Sequence, residues 1–227
     1  MRYFPLGDAA IVVEFDSVIG PASHEKVRLL STYLDFHSFK GMVEYVPAFT
    51  TVTVFYNPLV LRYAEAQAKL EEAVWQAKGM QLEQTARNVE IPVCYGGEYG
   101  PDLEDVARHN QLTADEVVHI HSNAEYLVYM IGFAPGFPYL GGMSERIAAP
   151  RRPSPRLVIP VGTVGIAGMQ TGVYPIGTPG GWQLIGRTPE PLFRPDMKPP
   201  TLLRAGDKVR FLPITEKEFE SWEGREG

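Results

Sequence analysis

The chain has 227 residues, 44% hydrophobic and 21% charged, with a formal net charge of −6 and an isoelectric point near 5.4. This is the make-up of soluble globular material in one large domain or two small ones, and the acidic balance excludes the basic footprint of a nucleic-acid binder. The single cysteine, Cys94, excludes a disulfide framework and points to the reducing cytoplasm.

Met1 to Asp8 contains no apolar run and does not read as a signal peptide. Ala9–Phe15 is a β-rich run. Gly20-Pro21 opens a helix with proline in its first turn, and Val27, Leu30, Leu34 and His37 fall on one face. Val43–Val46 and the alternating Thr51–Tyr56 predict two strands joined by a turn over 47–50. Asn57-Pro58 then caps a second helix, with Tyr63, Ala66, Leu70, Ala73, Val74 and Ala77 as its buried stripe. Asn88–Tyr95 is one more strand, in which Cys94 reads as a small hydrophobe rather than a nucleophile. The order β-α-β-β-α-β predicts a ferredoxin-like α+β domain over residues 1–95.

A linker from Gly96 to Pro101 leads into two short helices. The first covers 102–110; the second is capped by Thr113, with Glu116 three residues on completing a capping box. A strand over Tyr126–Ile131 follows. Residues 131–200 then hold 25 of the chain's 42 Gly and Pro residues. Short apolar runs between such turns predict a small β-barrel or sandwich for residues 96–227. From Leu157 to Gly186, 30 residues carry no charge, which matches the length of a membrane span. Eleven of them are Gly or Pro, which a helix does not tolerate, so the segment is read as strands and turns.

The standard phosphate loop, dinucleotide fingerprint, nucleophile elbow, C-x-x-C and H-E-x-x-H motifs are all absent. His119 and His121 form an H-x-H pair without a nearby cysteine, and no metal site is expected. His121, at a helix end, reads either as an acid/base group or anion contact, or as a helix-end histidine bonded to a carbonyl. Arg146, Arg151, Arg152 and Arg156 stand in a run broken by Pro153 and Pro155, so they are expected on a stiff extended loop. Four clustered cations in an acidic protein point to oxyanion binding, since guanidinium matches carboxylate or phosphate oxygens. Gly132–Leu140 and Pro179–Trp182, the latter beside Arg187, put aromatics on turn-rich backbone suited to a shaped wall. Gly162, Gly165, Gly168 and Gly172 punctuate the run through Met169, Gln170 and Thr171, where glycine permits bends or close approach.

HSNAEYLVYMIGFAPGFPYL, PRRPSPR, PVGTVGIAGMQTGVYP and TPGGWQLIGRT, together with FPLGDAA and VPAFTTVTVFY nearer the amino terminus, resemble the B-type component of bacterial 5-oxoprolinase. This family was earlier labelled allophanate hydrolase subunit 1 and includes an inhibitor of a sporulation kinase. The resemblance implies a ferredoxin-like first domain and a cyclophilin-like barrel as the second. It also implies a composite site with a C-type partner subunit and an A-type subunit. The complex would open 5-oxo-L-proline to L-glutamate with ATP and Mg, neither held tightly by this chain, which would be inactive alone. His121, Arg156 and Gln170 are the implied catalytic residues. Arg152, Thr171, Tyr174, Phe137, Trp182 and Arg187 would bind substrate or phosphate. Binding to a sensor histidine kinase and a carboxyltransferase role, which would need a biotin carrier on another chain, are the alternatives.

Overall fold

The computed structural model describes residues 1–80 and 87–222, and the chain divides into two compact units, Met1–Thr85 and Ala86–Gly227. The first contains β1 (Arg2–Pro5), β2 (Ala10–Glu14), α1 (Pro21–Phe36), β3 (Met42–Pro47), β4 (Thr51–Tyr56) and α2 (Tyr63–Ala77). Its strands form one antiparallel sheet in the order β1-β2-β4-β3. Alternation in β4 sends Val52, Val54 and Tyr56 to one face, where they meet Ile11, Val13, Leu30, Leu34 and Leu70.

This arrangement differs from the ferredoxin-like expectation at two places. An edge strand, β1, precedes the predicted first strand. The strand over residues 88–95, expected to close this sheet, instead belongs to the other unit. Asn57 does not cap α2 either: its side chain accepts from Leu59 N at 2.9 Å and closes a separate turn. The helix begins after Arg62, whose backbone N–H donates to the Glu65 carboxylate at 2.8 Å. His37 lies one residue beyond α1, exposed and stacked on Tyr33.

The second unit contains β5 (Asn88–Tyr95), α3 (Leu103–His109), α4 (Ala114–Ser122), β6 (Tyr126–Ile131), β7 (Pro138–Gly141), a 3-10 turn (Glu145–Ile147), β8 (Arg156–Ile159), β9 (Thr163–Ala167), β10 (Gln170–Val173), β11 (Thr178–Gly180), β12 (Gln183–Arg187), β13 (Lys208–Ile214) and α5 (Glu216–Glu220). The predicted barrel is present. It is closed, in the order β10-β7-β6-β13-β5-β12-β9, with β8 and β11 forming a separate two-stranded sheet. Four consecutive residues of β5, Ile91 to Cys94, are buried, so this strand needs cover on both faces. β13 supplies a parallel ladder along its full length, from Lys208↔Asn88 to Ile214↔Cys94. Val106 of α3 and Val117 of α4 join the interior formed by Ile91, Val128, Val164, Ile185 and Phe211. Arg146 lies within the 3-10 turn, so the extended arginine segment starts only beyond it. No helix among the described residues is long and apolar enough to cross a membrane.

Two glycines separate torsional from steric demands. Gly162 has φ +80°, and a Cβ there would lie 2.2 Å from Thr188 O; Gly168 has φ +59° and open space. Gly168→Ala is expected to destabilise by about 1 kcal/mol through left-handed backbone strain alone. Gly162→Ala, which adds a backbone clash, is expected to cost about 2 kcal/mol. Equal unfolding midpoints for the two variants would contradict this ordering.

Candidate anion-binding site

The linker expected at 96–101 positions the key carboxylate. At Gly100 a Cβ would sit 2.1 Å from Ile185 O, so only glycine lets this segment lie against β12. The next residues dock on that strand: Asp102 N donates to Leu184 O at 2.9 Å, and Leu184 N donates to Asp102 Oδ2 at 2.7 Å. Asp102 stands at the N-cap of α3, but its side chain makes no capping bond. It turns inward instead, with only 3% of the side chain exposed.

Its other oxygen gathers two arginines from the proline-broken run. Arg152 Nη1 and Arg156 Nη2 both donate to Asp102 Oδ1, at 2.9 and 2.8 Å. Backbone pairing fixes their origins: Arg152 N donates to Gly181 O at 2.8 Å, and Arg156 is in register with Gly180 across β8 and β11. Arg152 Nε and Arg156 Nη1 are buried without an acceptor. The two side chains nevertheless remain 35% and 25% exposed. The cluster is thus a pair of cations on one carboxylate whose two oxygens are both engaged, short of acceptors and open at its outer edge.

An aromatic cluster packs on the same segments, together with Ile159 of β8 and Leu184 of β12. Phe137, Tyr174 and Trp182 are all buried and meet edge to face, with Phe137 centroids 5.3 Å from Tyr174 and 5.6 Å from Trp182. They pack on the outside of the barrel wall where Gly165 and Gly172 leave room, since a Cβ at Gly172 would be 3.0 Å from the Phe137 ring. The expected aromatic wall is therefore a buried foundation rather than an open lining. Burial pushes the Tyr174 phenol up to about 12, against the opposing pull of Arg151 and Arg156, so the hydroxyl keeps its proton. Phe133 is the exposed aromatic of the group, 65% accessible at φ +69° and edge-on to Phe137.

The remaining predicted residues have other surroundings. His121 is fully buried inside the barrel and stacks on Phe211 at 4.6 Å. The Thr171 hydroxyl donates to Gly165 O at 3.0 Å. Its oxygen is then the acceptor for His121 Nε2–H at 2.9 Å, which leaves Nδ1 to accept from the Tyr95 hydroxyl at 2.8 Å. Burial pushes the His121 pKa down to about 3. The imidazole is thus a neutral link in a core network, not an acid/base group facing solvent, and Thr171 is its partner. Gln170 shares the outer face of β10 with Gly172 and is half-buried. Arg187 donates to Val161 O at 2.9 Å, and its guanidinium lies 6.0 Å from the Phe219 ring centroid. Arg146 is exposed on its 3-10 turn, where its charge lowers the Glu116 pKa as a lesser cause after the hydrogen bonds from Thr113. Among the described residues no group of His, Cys, Asp and Glu is arranged to hold a metal.

Asp102 is the residue of this cluster that sequence reasoning missed. A signal existed: the 30 chargeless residues after Arg156 offer no carboxylate, so the arginines' counter-ion must come from another segment.

Residues 1–203 match the family model for the carboxyltransferase domain, subdomain C and D. The chain is 52% identical to the B-type component of 5-oxoprolinase from Bacillus subtilis, over 96% of this chain and 94% of that one. It is 45% identical to the B-type component of 5-oxoprolinase from Escherichia coli O157:H7, over 95% and 97%. A crystal structure of a conserved uncharacterised protein from Pyrococcus horikoshii, PH0987, is 45% identical, with a TM-score of 0.58 over 96% of this chain and all of that one. The chain belongs to this carboxyltransferase-domain family, in the branch formed by the B-type components of 5-oxoprolinase.

Proposed function

We propose that this chain is one subunit of an ATP-dependent 5-oxoprolinase, inactive alone, whose anion site is completed by a C-type partner. The observation that carries the reading is the Arg152–Arg156 pair on Asp102, in a chain half identical to a B-type component of 5-oxoprolinase. In the reaction, the γ-phosphoryl of ATP moves to the lactam carbonyl oxygen and ADP leaves. Water then adds to the activated ring carbon, the C–N bond breaks with protonation of nitrogen, and phosphate departs to leave L-glutamate. Every species along this path is anionic, and fixed guanidinium groups hold such charge without solvent reorganisation.

The site's own carboxylate does not suit a magnesium ion. Asp102 has one oxygen taken by two guanidinium groups and the other by Leu184 N. Nucleotide and metal therefore fall to the partner subunits in this reading. A partner surface is also favoured by Leu157 and Val158, which follow Arg156 directly and are 87% and 69% exposed. Adjacent exposed apolar side chains on a two-stranded sheet suit burial in an interface.

Purified A-, B- and C-type components mixed with 5-oxoproline and ATP should release glutamate and ADP in equal amounts. Arg156→Ala should lower kcat/KM for 5-oxoproline by about tenfold to a hundredfold, the worth of one charged hydrogen bond. No glutamate from the wild-type mixture would remove the oxoprolinase reading, and full activity in the variant would remove the arginine pair from it.

A further inference from the structure

The arginine cluster carries a definite charge balance, and that balance selects among the anions of the proposed reaction. Arg152 and Arg156 contribute two positive charges, and Asp102, the carboxylate bonded to both, contributes one negative charge. One positive charge remains. A monoanion neutralises it, whereas a nucleoside triphosphate would bring several negative charges to a site whose one carboxylate already has both oxygens hydrogen-bonded within the protein. Each guanidinium gives Asp102 one N–H in the bonds above and keeps others, and both side chains are partly exposed, so the pair can offer N–H groups to the two oxygens of a carboxylate. Arg151, close enough to act electrostatically on Tyr139 and Tyr174, adds long-range attraction from an exposed position.

We infer that Arg152 and Arg156 hold the carboxylate of the lactam substrate, and that the nucleotide's phosphates bind elsewhere in the complex. The inference rests on the oxoprolinase reading but can fail independently of it. Asp102 acts in it as a positioning residue, since it fixes both guanidinium groups without meeting the substrate.

The test uses the reconstituted three-component complex with two substrates, 5-oxoproline and its uncharged carboxamide. Wild type should prefer the acid, and Arg156→Ala should reduce that preference by about tenfold or more. The variant's KM for 5-oxoproline should rise while its KM for ATP stays within about twofold of wild type. Arg156→Lys, which keeps the charge and loses the fork, should fall between the two. Arg152→Gln provides the same comparison if Arg156→Ala does not assemble. A raised KM for ATP, or an undiminished preference for the acid in both arginine variants, would overturn the assignment. A wild-type complex that makes no glutamate would instead sink the underlying reading.

Discussion

Asp102→Ala is expected to destabilise the second unit by about 3 kcal/mol, more than any single arginine substitution at the site. The carboxylate accepts three hydrogen bonds, from Arg152, Arg156 and Leu184 N, at 2.7 to 2.9 Å. Its loss leaves two cations facing each other, with Leu184 N buried and unpaired. Removing one partner from a buried ion pair costs roughly 3–5 kcal/mol. The guanidinium groups are 35% and 25% exposed and regain some water, so the low end of that range applies. Asp102→Asn keeps the shape and one acceptor oxygen, and should lose about half as much. Urea unfolding followed at residues of the barrel measures both. A change below about 1 kcal/mol for Asp102→Ala would mean that the arginines do not depend on this carboxylate.

How much of this could be read beforehand depended on the range of the interaction. The Thr113–Glu116 capping box and the alternation of Thr51–Tyr56 are local, and both appear as read. The run over 88–95 is a strand as predicted, but a period-2 pattern does not name its partner. One partner, β13, lies 120 residues further on and is matched through Lys208–Ile214. The same limit hid Asp102. An aspartate at the start of the helix predicted over 102–110 carries no local mark of this role, because its arginine partners stand 50 and 54 positions away. The arginines were legible because proline spacing restricts the local backbone. The glycines were legible as sites of close approach, although which backbone approaches them was not. The surroundings of His121 are not legible for a different reason: its helix-end position is a local fact, while its burial depends on β5, β10 and β13 closing around it.

That closure makes His121 the main acid-sensitive group identified in the barrel. Its folded pKa is about 3, against about 6.5 for an unfolded histidine. Between those values the unfolded chain holds a proton that the folded chain refuses, so stability rises with pH across the window. It is fully present above about 6.5 and is lost as pH falls toward 3, with a slope of up to about 1.4 kcal/mol per pH unit. Between pH 6.5 and pH 4 this single group should remove about 3 kcal/mol. The structural reason is specific. Nε2–H is already given to Thr171, and Nδ1 accepts from Tyr95. A second ring proton would meet a hydroxyl already directed at it, in a ring closed off from solvent. His121→Gln keeps polar contacts without titrating. It should be less stable than wild type at pH 7, with the difference shrinking steadily as pH falls toward 4. Parallel stability curves for the two proteins, measured by urea unfolding at half-unit pH steps, would show that the neutral imidazole does not set the barrel's acid sensitivity.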